Sequence, residues 1–155
     1  MEVSEICALD VRSLADKNCA LFLWVTMPEL KSMMKVVEAW GFKYKTCAFT
    51  WVKTKKDGKP LAGMGSYTKS NAEICILAMR GHIKAVDKTV PQIVMCPRMG
   101  HSVKPPEVRD RIVKLFGDIP RIELFARQKT EGWDVWGNEV TNDIEIEKTP
   151  VGVLS

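Results

Sequence analysis

At 155 residues, with 46% hydrophobic and 27% charged side chains, the chain is long enough to bury one core and has the balance of an ordinary globular domain rather than a disordered one. Its net charge of +4 permits a nucleic-acid partner without requiring one. No apolar run approaches the roughly 18 residues of a membrane span, and the first ten residues have no basic start followed by an apolar stretch, so a cytoplasmic protein with no membrane partner is expected.

Five cysteines, Cys7, Cys19, Cys47, Cys75 and Cys96, are scattered without a C-x-x-C pair, and His82 and His101 stand in no zinc-like register with them. Reduced thiols are expected, with Cys47 and Cys75 in the core and no metal site. From Thr141 onward the chain is acidic, so the preceding body is the more basic part.

In chain order, Ser4 to Leu14 reads as a short helical segment or turn. Ala20–Val25 (ALFLWV) is an unbroken apolar run, as in a strand covered on both faces. Thr26 and Glu29 have capping-box spacing with Pro28 between them, and Leu30, Met33, Met34, Val37 and Trp40 recur at helical spacing up to Gly41. Tyr44–Lys53, rich in aromatic and β-branched residues, reads as a second strand. The stretch from Thr54 to Ser70 breaks the pattern and is expected to be a long functional or mobile loop carrying Lys55, Lys56, Lys59 and Lys69. Glu73–Met79 and Ile93–Cys96 are further strands. Pro105 and Pro106 open a helix on which Val108, Ile112, Val113 and Phe116 share a face and Gly117 ends it. Arg121–Ala126 (RIELFA) is a last buried strand. Alternating strands and helices predict an α/β fold with a largely parallel sheet. Residues 1–140 form one domain, and residues 141–155, which lack apolar periodicity, a flexible tail.

None of the generic enzyme signatures occurs: no G-x-G-x-x-G, no phosphate-binding loop, no G-x-S-x-G and no H-E-x-x-H. A more specific ordered set does. Trp51-Val52-Lys53-Thr54 follows a strand, Arg80-Gly81 follows another, and His101-Ser102-Val103-Lys104-Pro105 precedes a helix. Glu123-Leu124-Phe125-Ala126-Arg127 ends a strand, and Trp133 and Gly137-Asn138-Glu139 come after it. In order and spacing these pieces resemble the N6-adenine methyltransferase family that includes the catalytic subunit of the mRNA adenosine methyltransferase, above all its phage and bacterial DNA-methylating relatives. The resemblance covers roughly residues 1 to 140.

It implies a circularly permuted Rossmann-like methyltransferase sheet with flanking helices, the acceptor half first and the S-adenosylmethionine half last. It also implies transfer of a methyl group to adenine N6, in DNA rather than RNA, in a bacterial cytoplasm or that of a phage-infected host. Arg80, Glu123, Arg127, Lys129, Thr130, Asn138 and Glu139 fall where the family contacts S-adenosylmethionine. The chemistry suits the residue types, since ribose hydroxyls pair with a carboxylate or an amide and a cofactor carboxylate pairs with Arg. Lys129, Thr130 and Glu139 depart from the residues of the mRNA enzyme. Lys53, Lys55, Lys56, Lys59, Lys69 and Lys104 fall in the region that faces nucleic acid. Plainer readings stand beside these: Glu123 and Arg127 as a surface ion pair, the lysines as a solvated face, Trp133 and Trp136 as edge packing, Ser102 as a turn residue.

The family's Asp-Pro-Pro-Trp tetrapeptide accepts the adenine amine and stacks on the base. No such segment occurs, the only Pro-Pro being Pro105-Pro106 in a helix start. Aligned on the resemblance, it belongs before Met1, so the first catalytic strand is expected to be missing and no catalytic residue is assigned. Two functions follow: the domain of an active methyltransferase shortened at its N-terminus, or a non-catalytic subunit that binds nucleic acid or pairs, as a homo- or heterodimer, with another methyltransferase subunit.

Overall fold

The computed structural model describes residues 1–100 and 103–148. The first segment forms two short helices, α1 (Val3–Cys7) and α2 (Val11–Leu14), rather than one. Asp10 separates them by accepting hydrogen bonds from the Ser13 amide and hydroxyl at 3.2 and 2.6 Å, which caps α2. Strand β1 (Cys19–Val25) follows. The expected capping box at Thr26 is not formed. Pro28 instead sits in a 3-10 turn, Met27–Glu29, closed by the Glu29 amide on the Thr26 carbonyl. Helix α3 (Leu30–Ala39) then runs to Trp40, whose indole nitrogen donates to the Ile6 carbonyl at 2.9 Å and fastens α3 to α1.

Strands β2 (Lys43–Thr54), β3 (Ala72–Arg80) and β4 (Ile93–Pro97) complete a four-stranded sheet of order β1-β3-β2-β4. It is mixed, not largely parallel as the sequence predicts: β1 and β2 are each antiparallel to β3, and only β4 lies parallel to its neighbour β2. The reason lies in the connections. A parallel neighbour requires a crossover, usually helical, and residues 55–71 between β2 and β3 contain no helix. The chain therefore turns back, and β3 enters between β1 and β2, which α3 has already set side by side in the same direction. Helix α4 (Glu107–Phe116) leads to a separate sheet of two parallel strands, β5 (Ile122–Leu124) and β6 (Asp134–Trp136). The strand expected over Arg121–Ala126 is shorter because Phe125 takes a left-handed conformation, φ +57°.

Alternation along β1 splits its apolar run between two cores. Leu21, Leu23 and Val25 join Val36, Val37, Trp40, Phe42 and Ile76 under α3. Phe22 and Trp24 join Phe49, Trp51, Cys75, Val94 and Val108 under α4. Burial of Cys75 pushes its thiol well above the ordinary range, so it is a core thiol, not a nucleophile. The small sheet packs on the first core through Leu124 and Trp136. Although both faces of β1 are covered, its first six residues remain only half-buried, because β1 is a sheet edge. All three residues of β5 are likewise half-buried.

The first part of the segment expected to be flexible makes specific bonds. Asp143 accepts from the Val135 amide at 2.9 Å, the Asp10 amide donates to the Glu147 carbonyl at 2.8 Å, and Leu9 bridges Lys148. Residues 149–155 lie outside the described residues.

Candidate functional site

Because β1, β2 and β4 run the same way, their carboxyl ends meet at one edge of the sheet, together with the start of β3. Ligands of open α/β sheets bind at such an edge. A groove of about 190 Å³ opens there, lined by Thr26, Trp51, Lys53, Glu73, Arg98, Gly100, Val103 and Lys104. Its centre is a buried carboxylate between two ammonium groups: Glu73 lies 3.0 Å from Lys53 Nζ and 2.8 Å from Lys104 Nζ. Burial works to raise the Glu73 carboxyl, but the hydrogen bonds and charges of Lys104 and Lys53 outweigh it and hold it below the ordinary value. The two lysines also lie over indoles, Lys53 at 5.2 Å from the Trp51 ring centre and Lys104 at 5.6 Å from that of Trp24. The indoles meet edge to face at 6.3 Å, and Trp51 Nε1 donates to the Cys96 carbonyl at 2.8 Å. The result is a preorganised aromatic and cationic wall with a surplus of positive charge, to which Arg98 of the lining adds.

Lys53 and Lys104 are thus brought together, 51 positions apart in the sequence. Glu73 and Trp24 were not among the candidate site residues. The signal for Glu73 was present: it is a charged side chain that opens an apolar strand, EICILAM. Lys55, Lys56, Lys59 and Lys69 are exposed in the arm between β2 and β3 and do not touch this cluster. His101 and Ser102 lie outside the described residues.

A second locus follows β5 and β6. Their parallel pairing puts the loops after both strands at a common edge, and these loops carry Arg127, Lys129, Thr130, Asn138 and Glu139. Lys129 and Glu139 share an open depression of about 460 Å³ with Gln128, Val140, Thr141 and Asp143. Lys129 Nζ donates to Asp143 at 2.7 Å, and that bond with the Val135 amide holds the Asp143 carboxyl below its ordinary value. Asn138 and Glu139 are exposed, as is Arg127. Thr130 closes a turn through its carbonyl, which accepts from the Trp133 amide at 3.0 Å. Trp133 packs beneath the Arg121 guanidinium and Trp136 against Phe125, so both serve as edge packing.

Glu123 faces α4 and takes a two-point bond from Arg109, Nε to Oε1 at 2.7 Å and Nη2 to Oε2 at 3.0 Å. Arg109 was not a sequence candidate either; only the packing of α4 beside β5 reveals it. Arg80 belongs to the four-stranded sheet. It ends β3 opposite Cys19, at the edge where β1 begins, and its Nη1 donates to the carbonyls of Arg12 and Ala15 at 2.8 and 3.3 Å. It closes the end of α2.

The loop after β6 leaves no room for a side chain at Gly137. A Cβ there would lie 2.5 Å from the Ala126 carbonyl oxygen and 2.9 Å from its amide nitrogen. These are backbone atoms that cannot swing aside, so Gly137→Ala is expected to lower stability by about 1–3 kcal/mol, measured as a fall in the urea midpoint. An unchanged midpoint would show that the two loops are free to separate.

Residues 1–139 match the MT-A70 family model. The chain is 38% identical over 149 residues to the type II methyltransferase M.MunI of Mycoplasma sp, a match covering 94% of this chain and 61% of that protein. It is 29% identical over 161 residues to the N(6)-adenine-specific methyltransferase METTL4 of Homo sapiens, covering 88% of this chain and 32% of that protein. Against the N6-methyladenosine RNA methyltransferase MTA1 of Cryphonectria parasitica it is 32% identical over 107 residues, covering 65% and 30%. The chain therefore spans less than two thirds of the length of these relatives. With a family model matched from Met1 to Glu139, across both loci, the chain belongs to the MT-A70 family.

Proposed function

We propose that this chain serves S-adenosylmethionine-dependent methylation of the N6 amine of adenine in nucleic acid, DNA rather than RNA. The observation that carries this reading is the family match across residues 1–139, joined to 38% identity with a type II methyltransferase. The donors of the loops after β5 and β6 suit the cofactor. Asn138 and Glu139 offer an amide and a carboxylate to ribose hydroxyls, Lys129 and Arg127 offer cations to a carboxylate, and Thr130 adds a hydroxyl. Glu123 is oriented by Arg109. The depression of about 460 Å³ is of a size that accommodates a small molecule. The cofactor, when bound, supplies a methyl group on a positively charged sulfur.

The groove around Lys53, Glu73 and Lys104 is assigned to the nucleic acid. Its surplus positive charge favours a phosphate, and its indoles offer a surface for a base. The Asp-Pro-Pro-Trp segment implied by the resemblance is not among these 155 residues. The half-buried edges of β1 and β5 support the view that a strand carrying it lies between them and completes a circularly permuted, Rossmann-like sheet. Residues 1–155 alone are therefore expected to bind cofactor and transfer little methyl. The same open edges favour a second reading, in which the chain is a non-catalytic subunit that pairs with an active one.

Calorimetric titration of the chain with S-adenosylmethionine tests the cofactor assignment. Saturable binding is expected, weakened at least tenfold in Asn138→Ala, a loss of about 1.4 kcal/mol. No binding by the unsubstituted chain would remove the assignment and leave the non-catalytic reading.

A further inference from the structure

The arm between β2 and β3 is far longer than its task requires. These strands are antiparallel neighbours, which a turn of a few residues can join, yet 55–71 intervene. The arm is also built. At its base Thr54 bridges Pro60, the Leu61 amide donates to the Lys53 carbonyl at 2.8 Å, and the Lys53 amide donates to the Asn71 carbonyl at 2.8 Å. Further out, Gly63 lies against the Ser70 carbonyl and Gly65 against the Thr68 carbonyl, each so closely that a Cβ could not be accommodated. The two limbs are thus held backbone to backbone, which only glycine allows. The arm begins two residues after Lys53, which lines the groove described above.

At the end of this closed arm stand two large side chains with no cover, Met64 at 98% and Tyr67 at 101% exposure. Lys69 flanks this tip, while Lys55, Lys56 and Lys59 lie in a turn at the base of the arm, where the Lys55 amide donates to the Lys59 carbonyl at 2.8 Å; the one carboxylate of the arm is Asp57. A fully exposed aromatic ring on a basic projection is the pairing that single-stranded and distorted nucleic acids select: cations for the backbone, a flat face for a base.

We propose that this arm is a nucleic-acid clamp in which the lysines contact phosphates and the Tyr67 ring stacks on a nucleobase beside the groove, with Met64 as an apolar wedge. This role rests on the nucleic-acid reading of the groove and adds to it a residue that positions the strand. The base next to the target is held away from its stack by Tyr67, so the target can reach the wall formed by Trp24, Trp51, Lys53 and Lys104 without being drawn back.

The test uses the full chain with short single-stranded and duplex oligonucleotides that carry, in place of the target adenine, 2-aminopurine, whose fluorescence rises when it is unstacked from its neighbours. Affinity is read by anisotropy across a salt series. Tyr67→Ala is expected to weaken binding about tenfold or more, to abolish the 2-aminopurine response and to leave the salt slope unchanged. Tyr67→Phe should retain both affinity and response. Replacing Lys55, Lys56 and Lys59 with Gln should make the salt slope shallower by about 2 to 3, at roughly 0.7 to 0.9 per phosphate contact. Because Tyr67 is uncovered, none of its variants should shift thermal stability. Binding by the unsubstituted chain that is equally tight in Tyr67→Ala overturns the stacking role alone. Absence of binding to either oligonucleotide form overturns the nucleic-acid reading and the clamp with it. Self-association that Tyr67→Ala abolishes, with oligonucleotide binding intact, reassigns the arm to contact between copies and overturns the clamp.

Discussion

Trp51→Ala is expected to cost about 3–5 kcal/mol, in the range measured for large aromatic deletions from cores. Trp51 is 2% exposed and stands at the point where three interactions meet. Its ring closes the core under α4 against Trp24, its Nε1 holds the Cys96 carbonyl of β4, and its face carries Lys53. Removing it opens a cavity, strands a carbonyl and frees a cation that also serves Glu73. Against a total stability of roughly 5–15 kcal/mol for a domain of this kind, that is a large share of the whole. Trp51→Phe separates the parts. It keeps most of the packing and loses the indole donor, so about 1–2 kcal/mol is expected. Urea unfolding of the two variants measures both. Equal losses would mean that the bond to Cys96, and not the ring volume, secures β4.

The second large effect is electrostatic. Glu73 is 8% exposed and pairs with both Lys53 and Lys104. Glu73→Gln removes the negative charge and leaves two ammonium groups facing a neutral amide. Breaking a fully buried pair costs about 3–5 kcal/mol; here the lysines are partly in solvent, with side chains 22% and 28% exposed, and about 2 kcal/mol at pH 7 is expected.

The pH dependence has a definite sign. The folded carboxyl titrates below its ordinary value of 4.5, so the folded state favours its ionised form. Its contribution is complete at pH values above 4.5 and is lost as the pH falls through the folded value. Asp10, Asp87 and Asp143 are lowered as well, chiefly by hydrogen bonds from Ser13, Thr89 and Lys129, and they lose stability in the same direction. The difference between wild type and Glu73→Gln isolates the cluster: it should be constant from pH 6 to 8 and shrink on acidification. A difference that grows on acidification would show that Glu73 is held in its protonated form.

These two expectations concern the cluster that the sequence described least completely. Lys53 and Lys104 were legible as basic residues flanking a strand and a helix. That they share one carboxylate was not, because the contact depends on β3 lying beside β2 with Glu73 opposite Trp51. Glu123 read as a cofactor contact or as a surface pair with Arg127; the approach of α4 supplies Arg109, 14 positions earlier. Arg80, read beside the cofactor block from its place in the motif order, is drawn to the carbonyls of α2 at the edge where β1 begins.

By itself the sequence determined the longer elements and the family. Helix α4, strands β1 to β4 and the end of α3 sit within a residue or two of their expected places, because apolar periodicity and breakers such as Gly41 and Gly117 act locally, whereas α3 starts three residues late, after the 3-10 turn at Pro28. The ordered motifs from Trp51 to Glu139 identified the family for the same reason: order and spacing are properties of the chain. Tertiary structure alone decided strand direction, the bonding of residues 141–148 and the partners of Lys53, Lys104, Glu123, Lys129 and Arg80. Strand direction depends on which loop carries a helix and which edge is free, and charge pairing depends on side chains that meet only after the sheet and its helices have packed. Periodicity sees neither.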